Sequence, residues 1–201
     1  IKLGTESSGG FKNITVTNCV FEHCRGLALE TVDGGHLEDI EISHITMRHI
    51  VNAGIFLRLG ARMRSPEGTP AGSMKRIRIS HINAYNVDSR YSSIISGIPN
   101  GIIEDVTFDH IHLYYKGGYT KEDGKRELPE QEKVYPEPWM FGTIPAKGFY
   151  ISHAKNISFH HINFYYEKPD GRPLFVTKDV ENIHLTDIRE NGEDVSVTIN
   201  Q

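Results

Sequence analysis

The sequence predicts an all-β chain wound as a parallel β-helix of about six coils, a solenoid in which each turn supplies one strand to each of two or three parallel sheets. Three observations predict it. First, a nine-residue stretch recurs six times, most regularly at residues 156–164 (NISFHHINF), with other copies beginning at Asn13, Asp39, Arg76, Asp105 and Asn182. The second and fourth positions of each copy are apolar and the residues between them polar, the period of a strand with one buried face. Second, a looser set of apolar runs lies between the copies, at residues 1–3, 27–29, 55–59, 93–98, 148–152 and 173–177. Third, the second residues of the copies, Ile14, Ile40, Ile77, Val106, Ile157 and Ile183, are separated by 26, 37, 29, 51 and 26 residues. The two long steps contain insertions, so the underlying coil is about 25 residues, a solenoid repeat length. One such unit cannot bury its apolar face alone, and stacked copies can.

Each copy carries a bend. A polar residue, Asn18, His44, His81, His110, His161 or Asp187, is followed at once by an apolar one, Cys19, Ile45, Ile82, Ile111, Ile162 or Ile188. Two adjacent residues cannot both continue a two-residue period. The chain therefore turns at the polar residue, a place suited to Asn, Asp and His, which tolerate unusual backbone angles and bond to nearby main chain. This ladder holds four of the eleven histidines. Metal binding is the alternative reading. Rungs about 4.8 Å apart disfavour one small ion shared by several of them, and no metal or cofactor is expected.

The turns are read in chain order. Residues 4–10 (GTESSGG) form a polar, glycine-rich turn, and residues 30–38 (ETVDGGHLE) repeat it one coil later. Residues 60–74 form a longer loop, with Arg58, Arg62 and Arg64 clustered at the end of the preceding strand. Residues 115–147 form the largest insertion: a charged first half, expected to be mobile, and an aromatic, proline-rich second half, expected to pack. Loops leaving one sheet share a side of the scaffold and tend to carry function. The binding surface is accordingly placed where these four loops leave the strands of residues 27–29 and 55–59.

The net charge of −4 argues against nucleic acid, which calls for a basic face. No apolar run approaches the roughly 18 residues of a membrane span. The chain reads as one domain over residues 1–201, opening on Ile1-Lys2-Leu3 in mid-strand. It is expected to be a piece of a longer protein, cut on its N-terminal side, whose first coil leaves an unpaired edge. Cys19 and Cys24 are the only cysteines. Cys19 fills the inward slot that isoleucine takes elsewhere, so it reads as a small buried hydrophobe. A disulfide to Cys24 would close a very short loop.

Candidate site residues follow from the same layout. Arg58 interrupts an apolar strand, IFLRLG, and alternation points it away from the core, where a guanidinium matches carboxylates and sugar hydroxyls. Arg25, Arg62 and Arg64 lie at the ends of neighbouring strands, either as a solvated charged surface or as a cationic rim. Glu30 and Asp33 follow the strand of residues 27–29, as ordinary acidic turn residues or as the paired carboxylates of glycoside hydrolysis. Tyr135, Trp139, Met140 and Phe141 either pin the insertion or offer a stacking platform for a sugar. No nucleotide loop, zinc-type Cys/His spacing or nucleophile elbow is present.

The runs IKLGTESSGGFKNITVTNC, CRGLALETVDGG, IFLRLGARMRSPEGTPAG and YPEPWMFGTIPAKGFYI resemble the C-terminal part of glycoside hydrolase family 28, the polygalacturonase-like enzymes that cut pectin, and the bacterial branch above all. The resemblance spans nearly the whole chain. It implies a right-handed parallel β-helix and an inverting hydrolase of pectin-type polysaccharide, periplasmic or extracellular and monomeric when full length. The family's paired catalytic aspartates precede a strand that resembles Ile1-Lys2-Leu3, so they are expected just before residue 1, with no catalytic carboxylate in this chain. The Gly-His-Gly segment corresponds to Cys24-Arg25-Gly26, with Arg25 in place of histidine. The Arg-Ile-Lys segment corresponds to Phe56-Leu57-Arg58, with Arg58 keeping the lysine charge and Phe56 replacing the arginine. These departures point to a linkage other than simple galacturonan, such as rhamnogalacturonan. The substrate-binding set is then Arg25, Glu30, Arg58, Arg62, Arg64, Tyr135 and Trp139. Two rivals stand beside this reading. A polysaccharide lyase would cluster aspartates on one sheet face, often with calcium. A non-catalytic carbohydrate-binding β-helix would need no convergence of Arg, Glu and aromatic side chains.

Overall fold

The computed structural model describes all residues except Ser7, Thr198, Asn200 and Gln201. The described chain is all-β apart from two single turns of 3-10 helix at Asp123–Lys125 and Pro138–Phe141. The strands in chain order are β1 (Lys2–Leu3), β2 (Phe11–Glu22), β3 (Leu27–Thr31), β4 (His36–Ile50), β5 (Ile55–Leu59), β6 (Ser73–Val87), β7 (Ser93–Ser96), β8 (Ile103–Tyr115), β9 (Phe149–Tyr166), β10 (Phe175–Glu190) and β11 (Glu193–Asp194). Among the described residues these strands pair in parallel except for the short return of β11 onto β10, and one isolated antiparallel bridge joins Ile98 to Gly101. Hydrogen bonds link the strands in the order β1-β3-β5-β7-β9-β8-β6-β4-β2, with β10 joined to β9. This architecture is consistent with a parallel β-helix.

The two sets of strands do not form separate sheets, as alternation alone suggests. Strands β9 and β10 run from the first row into the second without a break, because residues 153–156 and 179–182 continue the ladder instead of forming a turn loop. The register between copies is the expected one: Ile14, Ile40, Ile77, Val106, Ile157 and Ile183 pair in succession. The four inner members are buried, and Ile14 and Ile183, nearer the two ends, are half-buried. Phe108 and Phe159 stack in the interior, and Phe149 and Phe175 pack against Phe159 edge-on.

The bend ladder is left-handed at every rung. Asn18, His44, His81, His110, His161 and Asp187 have φ between 52° and 58°. A second ladder five residues earlier, Asn13, Asp39, Arg76, Asp105, Asn156 and Asn182, has the same conformation, and so has a third at His23, His49 and Asn86. Each left-handed residue drops out of the paired register and resets the two-residue alternation. This is how Ile42 and Ile45, three residues apart, both face inward. The bend histidines do not bond to main chain as expected. Their rings stack on one another, His44 on His81 at 4.6 Å and His81 on His110 at 5.0 Å. Cys19 packs half-buried against the core, and both cysteines are free.

The charged half of the insertion is tied down rather than loose. Gly118 N–H donates to the Pro169 carbonyl, Gly171 N–H donates to the Tyr119 carbonyl, and the Arg172 guanidinium lies 4.2 Å from the Tyr119 ring centroid.

A charge cluster at the start of the long strands gives the fold an acid limit. Glu38 accepts hydrogen bonds from Ser73 and from Arg76 (2.9 Å), with Lys12 and Lys75 beside it. The Ser73 bond and these cations hold its carboxyl down to about 2, against the opposing pull of burial. A carboxyl lowered by folding stabilises the fold above its unfolded value, and that stability is lost as pH falls through the folded value. The partners are 36–49% exposed, so screening trims the effect to about 1–2 kcal/mol. Acid unfolding of the wild type and of Glu38→Gln should therefore converge between pH 4.5 and 2. Parallel curves across that window would refute the assignment.

Candidate functional site

The first four strands of the short row, β1, β3, β5 and β7, lie side by side, and the insertion folds over them. Register places Lys2 beside Ala28, Glu30 beside Arg58, and Arg58 beside Ser96. Residues that alternate away from the core thus share one outer face. The segment YPEPW brings Tyr135 and Glu137 down onto it. Pro136 and Pro138 flank Glu137, and their fixed φ holds its backbone in place.

Lys2, Arg25, Ala28, Glu30, Asn52, Phe56, Glu137 and Pro138 line a cleft of about 140 Å³. Lys2 Nζ lies 2.8 Å from Glu30 Oε2 and 3.6 Å from Glu137 Oε1. Thr5 donates to Glu30 (2.8 Å), and Arg25 (3.0 Å) and Asn52 (3.1 Å) donate to Glu137. Lys2 also donates to the Tyr135 hydroxyl at 3.3 Å and sits 5.0 Å from that ring's centroid. Burial pushes the Glu30 carboxyl up, against the hydrogen bonds from Lys2 and Thr5. Burial alone would push the Lys2 ammonium down, but the hydrogen bond and charge of Glu30 outweigh it and raise it.

The expected residues divide into three groups. Arg25 and Glu30 reach the same cleft, and each is neutralised by a different partner rather than by the other. Arg25 is its exposed cation, with 64% of its side chain open to solvent. Arg62, Arg64 and Tyr135 gather beside it. Arg62 donates through Nε (3.1 Å) and Nη2 to Asp33, pairs with Glu6 at 3.1 Å, and lies 5.6 Å from the Tyr135 ring centroid. It joins all four loops, residues 4–10, 30–38, 60–74 and 115–147. With its side chain 5% exposed it is a clasp rather than an open rim. Among the described residues its Nη1 has no hydrogen-bond partner. Asp33 is fully engaged, accepting also from the Arg64 backbone N–H, and its carboxyl is lowered because Arg62 and Arg64 outweigh burial. Glu30 and Asp33 are therefore not a free carboxylate pair. The Arg64 side chain and Trp139 are exposed.

Arg58 forms the third group. It does point out of the sheet, as alternation requires, but the insertion seals it, leaving it 1% exposed. Nη1 donates to Ser96 Oγ (2.7 Å) and the Gly97 carbonyl (3.1 Å), and Nη2 to the carbonyls of Glu130 (2.8 Å) and Gln131 (3.0 Å). The Phe141 ring covers it at 5.5 Å. Both terminal nitrogens are thus engaged by the protein itself. Burial lowers its guanidinium to about 10. Two of these bonds are buried and two part-buried, and they tie the insertion to the sheet, so the substrate-binding place expected of Arg58 is taken by the protein's own groups.

Sequence reasoning missed Lys2, Asn52 and Glu137. Lys2 was in view as part of the opening strand, and Glu137 carried a signal in its two flanking prolines. Asn52 carried none. No family model, curated protein or solved structure matches the chain.

Proposed function

We propose that the chain is the C-terminal part of a right-handed parallel β-helix of about six coils, belonging to an inverting glycoside hydrolase that acts on uronate-bearing, pectin-type polysaccharide. The observation that carries this reading is the cleft where Lys2, Arg25, Glu30 and Glu137 converge beneath Tyr135. The four runs that resemble family 28 support it, since three of them supply these residues. A uronate carboxylate would be drawn to Arg25, whose second partner, Glu137, holds its guanidinium in place. Glu30 and Glu137 would position cations or accept sugar hydroxyls. Both contact the Lys2 ammonium, so their nearest oxygens lie closer together than the roughly 6.5–9.5 Å that an inverting acid–base pair needs. Acid and base are therefore assigned to the paired aspartates that the resemblance places ahead of Ile1. Exposed Trp139 would give a sugar ring a face beside the cleft.

The test is hydrolysis of oligogalacturonides and rhamnogalacturonan oligosaccharides by the intact enzyme, followed by reducing-end release and by the anomeric proton signals of the first product. Arg25→Ala should lower kcat/KM on uronate substrates roughly 10- to 150-fold, the loss of one charge-assisted contact, with Tm unchanged. Equal turnover of neutral glucans, or a kcat/KM that Arg25→Ala leaves intact, would overturn the reading.

A further inference from the structure

The histidine ladder runs down the outer face of the long strands, apart from the cleft. Its rungs are not equivalent. His44 and His81 stack within 6° of parallel, and His81 and His110 within 1°. The next pair, His110 and His161, is tilted by 30° with centroids 4.4 Å apart. This pair is the one that converges on a carboxylate. Asp109 Oδ1 lies 2.8 Å from His110 Nδ1 and 3.0 Å from His161 Nδ1. One oxygen and two imidazole nitrogens therefore meet within 4.8 Å of one another, on residues that are exposed or half-exposed.

We propose that Asp109, His110 and His161 form a surface site for a divalent transition-metal ion of the zinc class. Rung spacing sets metal aside only if backbone distances decide, and here side-chain directions do. Ligands bound at 2.0–2.1 Å around a tetrahedral ion lie about 3.3–3.4 Å apart. The two Asp109 contacts are a few tenths of an ångström shorter than that and the two nitrogens lie within 4.8 Å of each other, so small rotations of these side chains bring the three atoms to bonding distance of one ion. The ion replaces two imidazole protons: each Nδ1 gives up its N–H, the proton moves to Nε2 or to solvent, and the freed lone pair faces the metal. Behind His161, Asp187 Oδ2 stands 4.0 Å from Nε2, outside hydrogen-bond distance, and Arg189 holds Asp187 at 3.0 Å. The nearby negative charge favours a proton on Nε2, which leaves Nδ1 to the metal. Two imidazoles and one carboxylate favour zinc, nickel or copper over magnesium or calcium.

The site would also brace the fold. Asp109 and His110 belong to β8 and His161 to β9, the two strands separated by the long insertion. An ion bound only by the folded chain raises its stability.

The experiment is zinc titration of the chain by calorimetry, with thermal melts alongside. One zinc per chain and a raised Tm are expected. His161→Ala and Asp109→Ala should each weaken binding at least tenfold, while His44→Ala leaves it unchanged. A His161→Ala protein that binds as the wild type does, or a His44→Ala protein that loses as much, would overturn the site. Should a variant misfold, substoichiometric cobalt added to the unsubstituted chain decides by NMR. His110 and His161 imidazole signals should shift and broaden first, and equal effects on the stacked His23–His49 pair would refute the assignment.

Discussion

Arg58→Ala is expected to destabilise the chain by about 3–5 kcal/mol, a Tm drop of roughly 6–20 °C for a domain of this size. The guanidinium is 1% exposed and donates four hydrogen bonds. Removing it takes the Arg58 donor from the carbonyls of Gly97, Glu130 and Gln131; Gly97 keeps the Ser96 hydroxyl and Gln131 the Val134 N–H. Each lost bond to a charged donor costs about 1.5–3 kcal/mol, less where water enters the cavity. No carboxylate touches Arg58 within the salt-bridge distances of the described residues, so no buried anion is stranded and the cost stays at the sum of unmade bonds. Arg58→Lys should recover little, because one ammonium cannot span Ser96 and Gly97 on one side and residues 130–131 on the other. Two of the lost bonds anchor the insertion to the sheet, so protease cleavage within residues 115–147 should accelerate in parallel. Arg64→Ala is the control and should stay within about 0.5 kcal/mol. A melt of Arg58→Ala that overlays the control would show that the insertion does not depend on Arg58.

Arg58 also marks the boundary of what the sequence discloses. Alternation within IFLRLG correctly sends its side chain away from the core. What waits there is a segment more than 70 residues later in the chain, and local pattern carries no information about it. The same limit hides Glu137, which reaches Arg25 across 112 positions. The strand register was legible because it repeats: every copy presents the same apolar positions, and stacking them in phase is the arrangement that buries them all. The left-handed bend was legible for the middle ladder because a polar residue interrupts two apolar ones. The ladder five residues earlier was not, since Asn13 or Asp39 at the head of a copy reads equally well as the end of a turn. The insertion's charged half misled for a different reason. Composition suggested a solvated loop, whereas a few backbone bonds and one Tyr119–Arg172 contact pin it.

That second arginine carries the other large effect. Arg172→Met is expected to cost about 3–5 kcal/mol for a reason opposite to that for Arg58. Nε and Nη2 donate to the two oxygens of Asp170, at 3.0 and 2.7 Å, and both side chains are wholly out of solvent. Nη1 and Nη2 also donate to the carbonyls of Ile144 and Ser89, each at 2.8 Å. Methionine fills most of the space but strands the Asp170 carboxylate, which among the described residues keeps only the Arg172 backbone N–H at 3.1 Å. An uncompensated buried charge costs more than a missing bond. The two contributions separate in a double-mutant cycle with Asp170→Asn. The Asp170→Asn/Arg172→Met protein should be more stable than Arg172→Met alone, because the stranded charge is gone, yet less stable than wild type, because the Ile144 carbonyl loses its Arg172 donor and the Ser89 carbonyl is left with the Ser92 hydroxyl at 3.2 Å. Denaturant midpoints of the four proteins measure the coupling directly. A double variant no more stable than Arg172→Met would mean that the carbonyl bonds, not the ion pair, hold this corner of the fold together.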